Sequence, residues 1–94
     1  MIKVIIERTI ALGLEPNYKE AVRDTLRAVL DAPGYISSES LNNVSKKKHK
    51  VIITRWVSLS AWDAWHASDE RKMAISSISP LLEEPEKITV LEAG

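Results

Sequence analysis

TRWVSLSAWDAWHASDERKMA (Thr54 to Ala74) decides how this chain folds. It opens as the end of a strand, passes a tight entry and continues as a short helix carrying Trp62 and Trp65. A second helical segment comes after Ser68, with Asp69 placed to cap it. All three tryptophans of the protein lie in this stretch, and the chain has no phenylalanine. Large flat rings gathered at a strand-to-helix junction are either core or the wall of a pocket for a flat ligand.

Working back from this junction, Lys50 to Val57 reads as a strand. Val51, Ile53 and Val57 fall on one face, and Ile52, Thr54 and Trp56 on the other. Tyr35 to Val44 is a weaker strand, rich in serine and asparagine, and Ser45 to Lys48 is the turn between the two. The Pro33-Gly34 pair ends a preceding helix, because the residue before proline avoids helical geometry. That helix reads from Asn17, with Glu20 placed for a capping box and Tyr18, Val22, Leu26, Val29 and Leu30 at helical spacing. Ile2 to Ile10 is the first strand. Ile2, Val4, Ile6 and Ile10 share one face, and Ile5 shares the other with Lys3, Glu7 and Thr9. Forward from Ala74, the second helical segment extends to about Ser79, Pro80 and Pro85 bracket a loop, and Glu86 to Glu92 is the last strand.

The order is β-α-β-β-α-β, the ferredoxin-like α+β arrangement of an antiparallel four-stranded sheet with helices on one face. The 94 residues form a single domain. Several strands are apolar on both faces, so the face without helices calls for a partner. A sheet-to-sheet homodimer meets that need. Thirteen basic and thirteen acidic residues cancel, which argues against a nucleic-acid or membrane partner. There is no cysteine, so neither a disulfide framework nor thiolate chemistry is available. The apolar N-terminus is interrupted by Lys3, Glu7 and Arg8, unlike a signal peptide, and a cytoplasmic location is the expectation.

Four segments carry a family resemblance: IKVIIERTI (Ile2 to Ile10), APGYISSESL (Ala32 to Leu41), ITRWVSLSAWDAWHASDE (Ile53 to Glu70) and EKITVLE (Glu86 to Glu92). Over roughly Lys3 to Leu91 the chain resembles the antibiotic biosynthesis monooxygenase family. The resemblance implies a dimeric α/β-barrel built from ferredoxin-like subunits. It also implies oxygenase chemistry without metal or flavin, in which a deprotonated electron-rich substrate reacts with O2 in a dry pocket. The family also contains haem-degrading enzymes, which pair a first-strand asparagine with a tryptophan and a later histidine. Here those positions hold Glu7, Trp65 and Ile75, so the resemblance implies neither a haem ligand nor haem degradation.

Glu7 and His66 are the candidate bases: Glu7 as a carboxylate among apolar residues, His66 as the side chain that titrates nearest neutrality. For Glu7 the plainer reading is an ion pair with Lys3 or Arg55, and for His66 an exposed helix position. Trp62, Trp65 and Tyr35 are the candidate wall of a substrate site, against the plainer reading of core packing. KKKHK (Lys46 to Lys50) reads as a solvated turn, and the two histidines lack metal-ligand spacing. Two functions are compatible with these residues. One is a cofactor-independent monooxygenase acting on a small flat phenolic or quinol-like molecule, with Glu7 and Trp65 sharing a pocket on the helix side. The other is a non-catalytic ligand-binding or structural dimer.

Overall fold

The computed structural model describes residues 1–94. Strand β1 (Ile2–Thr9) leads into α1 (Glu15–Val29), β2 (Tyr35–Asn42), β3 (His49–Trp56), α2 (Leu59–Ala67), α3 (Asp69–Ser76), a 3-10 turn (Ser79–Leu81) and β4 (Lys87–Glu92). The sheet order is β2-β3-β1-β4 with every neighbour antiparallel. This is the ferredoxin-like fold. No helix is long and apolar enough to cross a membrane.

The period-two pattern of β1 sets the layers. Ile2, Val4, Ile6 and Ile10 are buried, and they pack in one cluster with Tyr18, Ala21, Val22 and Val29 of α1 and with Trp62 and Trp65 of α2. The helices therefore lie on one face of the sheet, and alternation sends Lys3, Ile5, Glu7 and Thr9 to the other. Register carries this across the sheet: Ile2 lies opposite Trp56, Val4 opposite Thr54 and Ile6 opposite Ile52. The open face has an apolar centre, with Ile5 opposite Ile53, and Leu41 and Leu91 exposed on the flanking strands.

Helix boundaries differ from the sequence expectation in three places. The first helix starts at Glu15, not Asn17, and no side chain caps it. Pro16 in the first turn explains the earlier start, because its missing N–H is one that a helix leaves unbonded anyway. The second difference is the cap of α3, which is Ser68, not Asp69. Finally, α3 ends at Ser76 rather than about Ser79, where Ile78 turns into the core and is fully buried.

Gly34 is the tightest point between layers. Its φ is +82°, a value open to glycine at little cost. A Cβ there would stand 2.5 Å from Ala61 Cβ and 2.9 Å from Val57 Cγ2. Its carbonyl accepts from Val57 N–H at 2.9 Å, fixing the start of β2 against the start of α2.

Candidate functional site

Two capped turns place the tryptophans. The Ser58 hydroxyl accepts from Ala61 N–H at 3.2 Å and starts α2. Ser68 does two jobs. Its hydroxyl donates to the Trp65 carbonyl at 2.6 Å and accepts from Arg71 N–H at 3.1 Å. At this joint one helix ends and the next begins, with ψ of Ser68 at 153°. Trp65 and Arg71 are thus set by the same residue from its two sides.

The three indoles form one aromatic body. Trp56 is fully buried, its ring 5.7 Å from that of Trp62 in an edge arrangement and 6.4 Å from that of Trp65 in a stacked one. Tyr35 meets Trp56 edge-on at 5.5 Å and shares a 2.6 Å hydrogen bond with Ser38. Pairs of this kind add about 0.5–1.5 kcal/mol beyond the area they bury. Trp56 Nε1–H donates to Thr54 Oγ1 at 2.9 Å, which satisfies the only polar atom of that buried ring.

Two concave spaces touch this body. A cavity of about 30 Å³ lies between the sheet and the helices, bounded by Trp62, Trp65, Thr54, Arg8, Arg71 and Ile75 among others. A groove of about 570 Å³ opens between the end of α1 and the start of α2, with Ala32, Gly34, Val57, Ala61 and Ser68 along it. Trp65 lines both.

Beside the cavity stands a buried ionic triad. Arg8 Nε donates to Glu86 Oε2 at 2.9 Å, and Arg71 Nη2 donates to Glu86 Oε1 at 2.7 Å. Arg8 Nη1 also reaches Tyr18 Oη at 3.3 Å. The arginines are only 3% and 7% exposed. Burial alone would raise the Glu86 pKa. The hydrogen bond from Arg71, the charges of both guanidiniums and the hydrogen bond from Arg8 outweigh it and hold Glu86 below the ordinary value of 4.5.

The residues singled out from sequence fall in different places. Trp62 and Trp65 are buried in the core cluster and border the inner cavity. Tyr35 stands behind them, on Trp56. His66 is exposed on the outer side of α2, its ring stacked on Trp62 at 5.2 Å. Glu7 does not meet Trp65. It comes directly after Ile6, whose side chain is on the helix side, so its own carboxylate points to the open face. There it lies 3.6 Å from His49 Nε2 and 3.9 Å from Lys87 Nζ. The expected pocket shared by Glu7 and Trp65 is therefore not formed, and the partners of Glu7 are not Lys3 or Arg55. The lysine turn is also less free than expected. Lys48 pairs with Glu83 at 2.6 Å and Lys50 lies 3.6 Å from Glu15. No group of three or more histidines, aspartates or glutamates is arranged to hold a metal ion.

Sequence reasoning missed Arg8, Arg71 and Glu86. The signal for Arg8 was present: it occupies the same phase as Ile2, Val4, Ile6 and Ile10, so a cation interrupts an otherwise apolar face. A long charged residue in core phase implies a buried counter-charge, which Glu86 supplies from 78 residues away.

The geometry has counterparts among solved structures. SnoaB, a cofactor-independent oxygenase from Streptomyces nogalater, is 15% identical with a TM-score of 0.88, covering 98% of this chain and 91% of that one. Rv0793 from Mycobacterium tuberculosis is 17% identical with a TM-score of 0.86, covering 98% and 93%. A conserved protein from Methanosarcina mazei Go1 is 14% identical with a TM-score of 0.91, covering 99% and 92%. At these identities the likeness is one of fold. No curated protein matches the sequence. A family model described as antibiotic biosynthesis monooxygenase matches residues 1–76, from β1 to the end of α3. That match covers the tryptophan helix and both arginines of the triad, and the chain accordingly belongs to the antibiotic biosynthesis monooxygenase family.

Proposed function

We propose that this protein is a cofactor-independent monooxygenase that uses O2 on a small flat aromatic molecule of phenolic or quinol type. The observation that carries the reading is Trp65. It lines a groove of about 570 Å³, within the range of small-molecule pockets, and also the inner cavity beside the buried arginines. The flat body of a substrate lies along Trp65, with Trp62 behind it and Tyr35 holding Trp56 in place.

In this reading His66 is the base through a bridging water, since it stacks on Trp62 at the edge of the aromatic body but borders neither space itself. It takes the proton of the substrate hydroxyl. The resulting anion gives one electron to O2, the radical pair joins to a hydroperoxide, and loss of water leaves the quinone. The substrate loses two hydrogens and gains one oxygen, and the second oxygen leaves as water. Glu7 belongs to the open face, where it takes part in packing against a second copy. That face pairs an apolar centre, Ile5 with Ile53, with charges at its margins. A homodimer through it removes the apolar area from water.

A single observation favours a non-catalytic binder: neither Glu7 nor His66 lines the cavity. Tryptophan fluorescence and an oxygen electrode decide between the two. A tricyclic phenol should quench fluorescence with saturation and consume O2 faster than without protein. Trp65→Ala should weaken binding, and His66→Gln should slow uptake while binding persists. Saturable quenching with no uptake above the spontaneous rate would reject the oxygenase and leave the binder.

A further inference from the structure

We infer that the inner cavity is an anion site: Arg8 and Arg71 together receive an oxyanion group of two or three heavy atoms, such as a carboxylate. Three observations carry this. First, Arg8 and Arg71 both line the cavity, while Glu86 does not, nor does any other acid. The triad carries two positive charges and one negative, and the side turned to the cavity is positive. Second, the guanidiniums keep donors in reserve. Arg8 uses Nε and Nη1, and Arg71 uses Nη2. Arg8 Nη2 and Arg71 Nε and Nη1 have no protein acceptor, although both side chains are more than nine-tenths buried. No buried polar atom is left without a partner, so these N–H groups reach accessible space. Third, the hydroxyl of Thr54 accepts from Trp56 Nε1, so its own proton remains free to donate to the cavity it lines.

The size fits a head group and not a ring. About 30 Å³ is somewhat more than the 10–15 Å³ that one water needs. A carboxylate fills it, and planar guanidinium forks match carboxylate geometry. The rest of the ligand reaches the outer groove past Trp65, the one lining residue that the two spaces share. An anion site here rests on the proposed substrate pocket and narrows its substrate class, but it concerns binding and needs no turnover.

The test uses 2-naphthoate and 2-naphthamide, which are alike in shape and differ in charge, with calorimetry at constant ionic strength. Naphthoate should bind at least ten-fold more tightly. Arg71→Gln should bring that ratio close to one while the amide binds as before, and Arg71→Lys should restore part of the preference. Formate as competitor separates two sources of the same chemistry. Displacement of naphthoate by millimolar formate indicates a site for free small anions, and its failure indicates one for the head group of a larger acid. Equal affinity of the unmodified protein for acid and amide, or no binding of either naphthoate or formate, would overturn the inference without recourse to a variant. A ten-fold preference in a protein that consumes no O2 with phenols would reject the oxygenase and keep the anion site.

Discussion

Replacing Gly34 by alanine should destabilise this protein far more than replacing Gly13, though both glycines have φ of +82°. Gly13→Ala meets nothing within 4 Å, so it carries only the left-handed backbone penalty of an L-residue, about 1 kcal/mol. Gly34→Ala carries the same penalty and a collision. Its Cβ would stand 2.5 Å from Ala61 Cβ, about 1 Å inside normal contact, and Ala61 Cβ is fixed to the backbone of α2 and cannot rotate away. Overpacking of this kind costs about 1–3 kcal/mol, for a total of about 2–4 kcal/mol. A domain of this length is stable by about 5–14 kcal/mol at the usual 0.05–0.15 kcal/mol per residue. Urea denaturation reads the difference. With a slope of about 1 kcal/mol/M, the midpoint should fall by about 1 M for Gly13→Ala and about 2–4 M for Gly34→Ala, at one fixed protein concentration. Equal midpoints for the two variants would refute the close packing of β2 against α2.

Three further outcomes are expected. Val51 lies opposite Glu7 on the open face, so Val51→Arg finds a counter-charge within the monomer yet, in the proposed dimer, would bury an extra cation between two sheets. Sedimentation at micromolar concentration should show a dimer for the unmodified protein and a monomer for this variant. Glu86→Gln removes the acceptor shared by two buried cations at a carboxylate only 16% exposed, and should cost about 2–3 kcal/mol, or about 10–20 °C in melting temperature. Because the Glu86 pKa is lowered in the folded state, the unfolded chain binds the extra proton, and this stability is full above pH 4.5 and lost as pH falls below it. The melting gap between the unmodified protein and Glu86→Gln should therefore be constant from pH 6 to 8 and narrow below 4.5. Haemin should give no sharp, saturable Soret shift, because Ile75 offers the cavity only hydrocarbon where an iron ligand would have to stand.

The layers of the fold were legible because the two central strands, β1 and β3, obey a two-residue period. Ile2, Val4 and Ile6 against Lys3, Ile5 and Glu7 is enough to assign faces, and the register of β3 agrees with it. The helix ends were less legible. Ser68, Asp69 and Asn17 are all good capping types, and only the placement of a neighbouring N–H chooses between them. The site was half visible. Trp62 and Trp65 announce themselves by size and spacing. Arg8 shows itself by its core phase, but its counter-charge Glu86 stands 78 residues away, and Arg71, 15 residues from Glu86, has no such phase to mark it. Glu7 was misplaced by chemistry overriding parity: an acid beside isoleucines looks like a tuned base, but its odd position sends it to the open face.

The joint at Ser68 makes the wall and the charge of the pocket separable. Trp65 is held from the N-terminal side of this serine and Arg71 from its C-terminal side. One residue inserted between Ser68 and Arg71 would swing the guanidinium about 100° around α3 and leave both tryptophans of α2 in place. In the proposed site the surface for a flat molecule and one of its two cations thus lie on different segments of the chain, with Arg8 apart on β1. A change of a few residues after this one joint would therefore alter half of the cationic lining, while the aromatic bed underneath stays as it was.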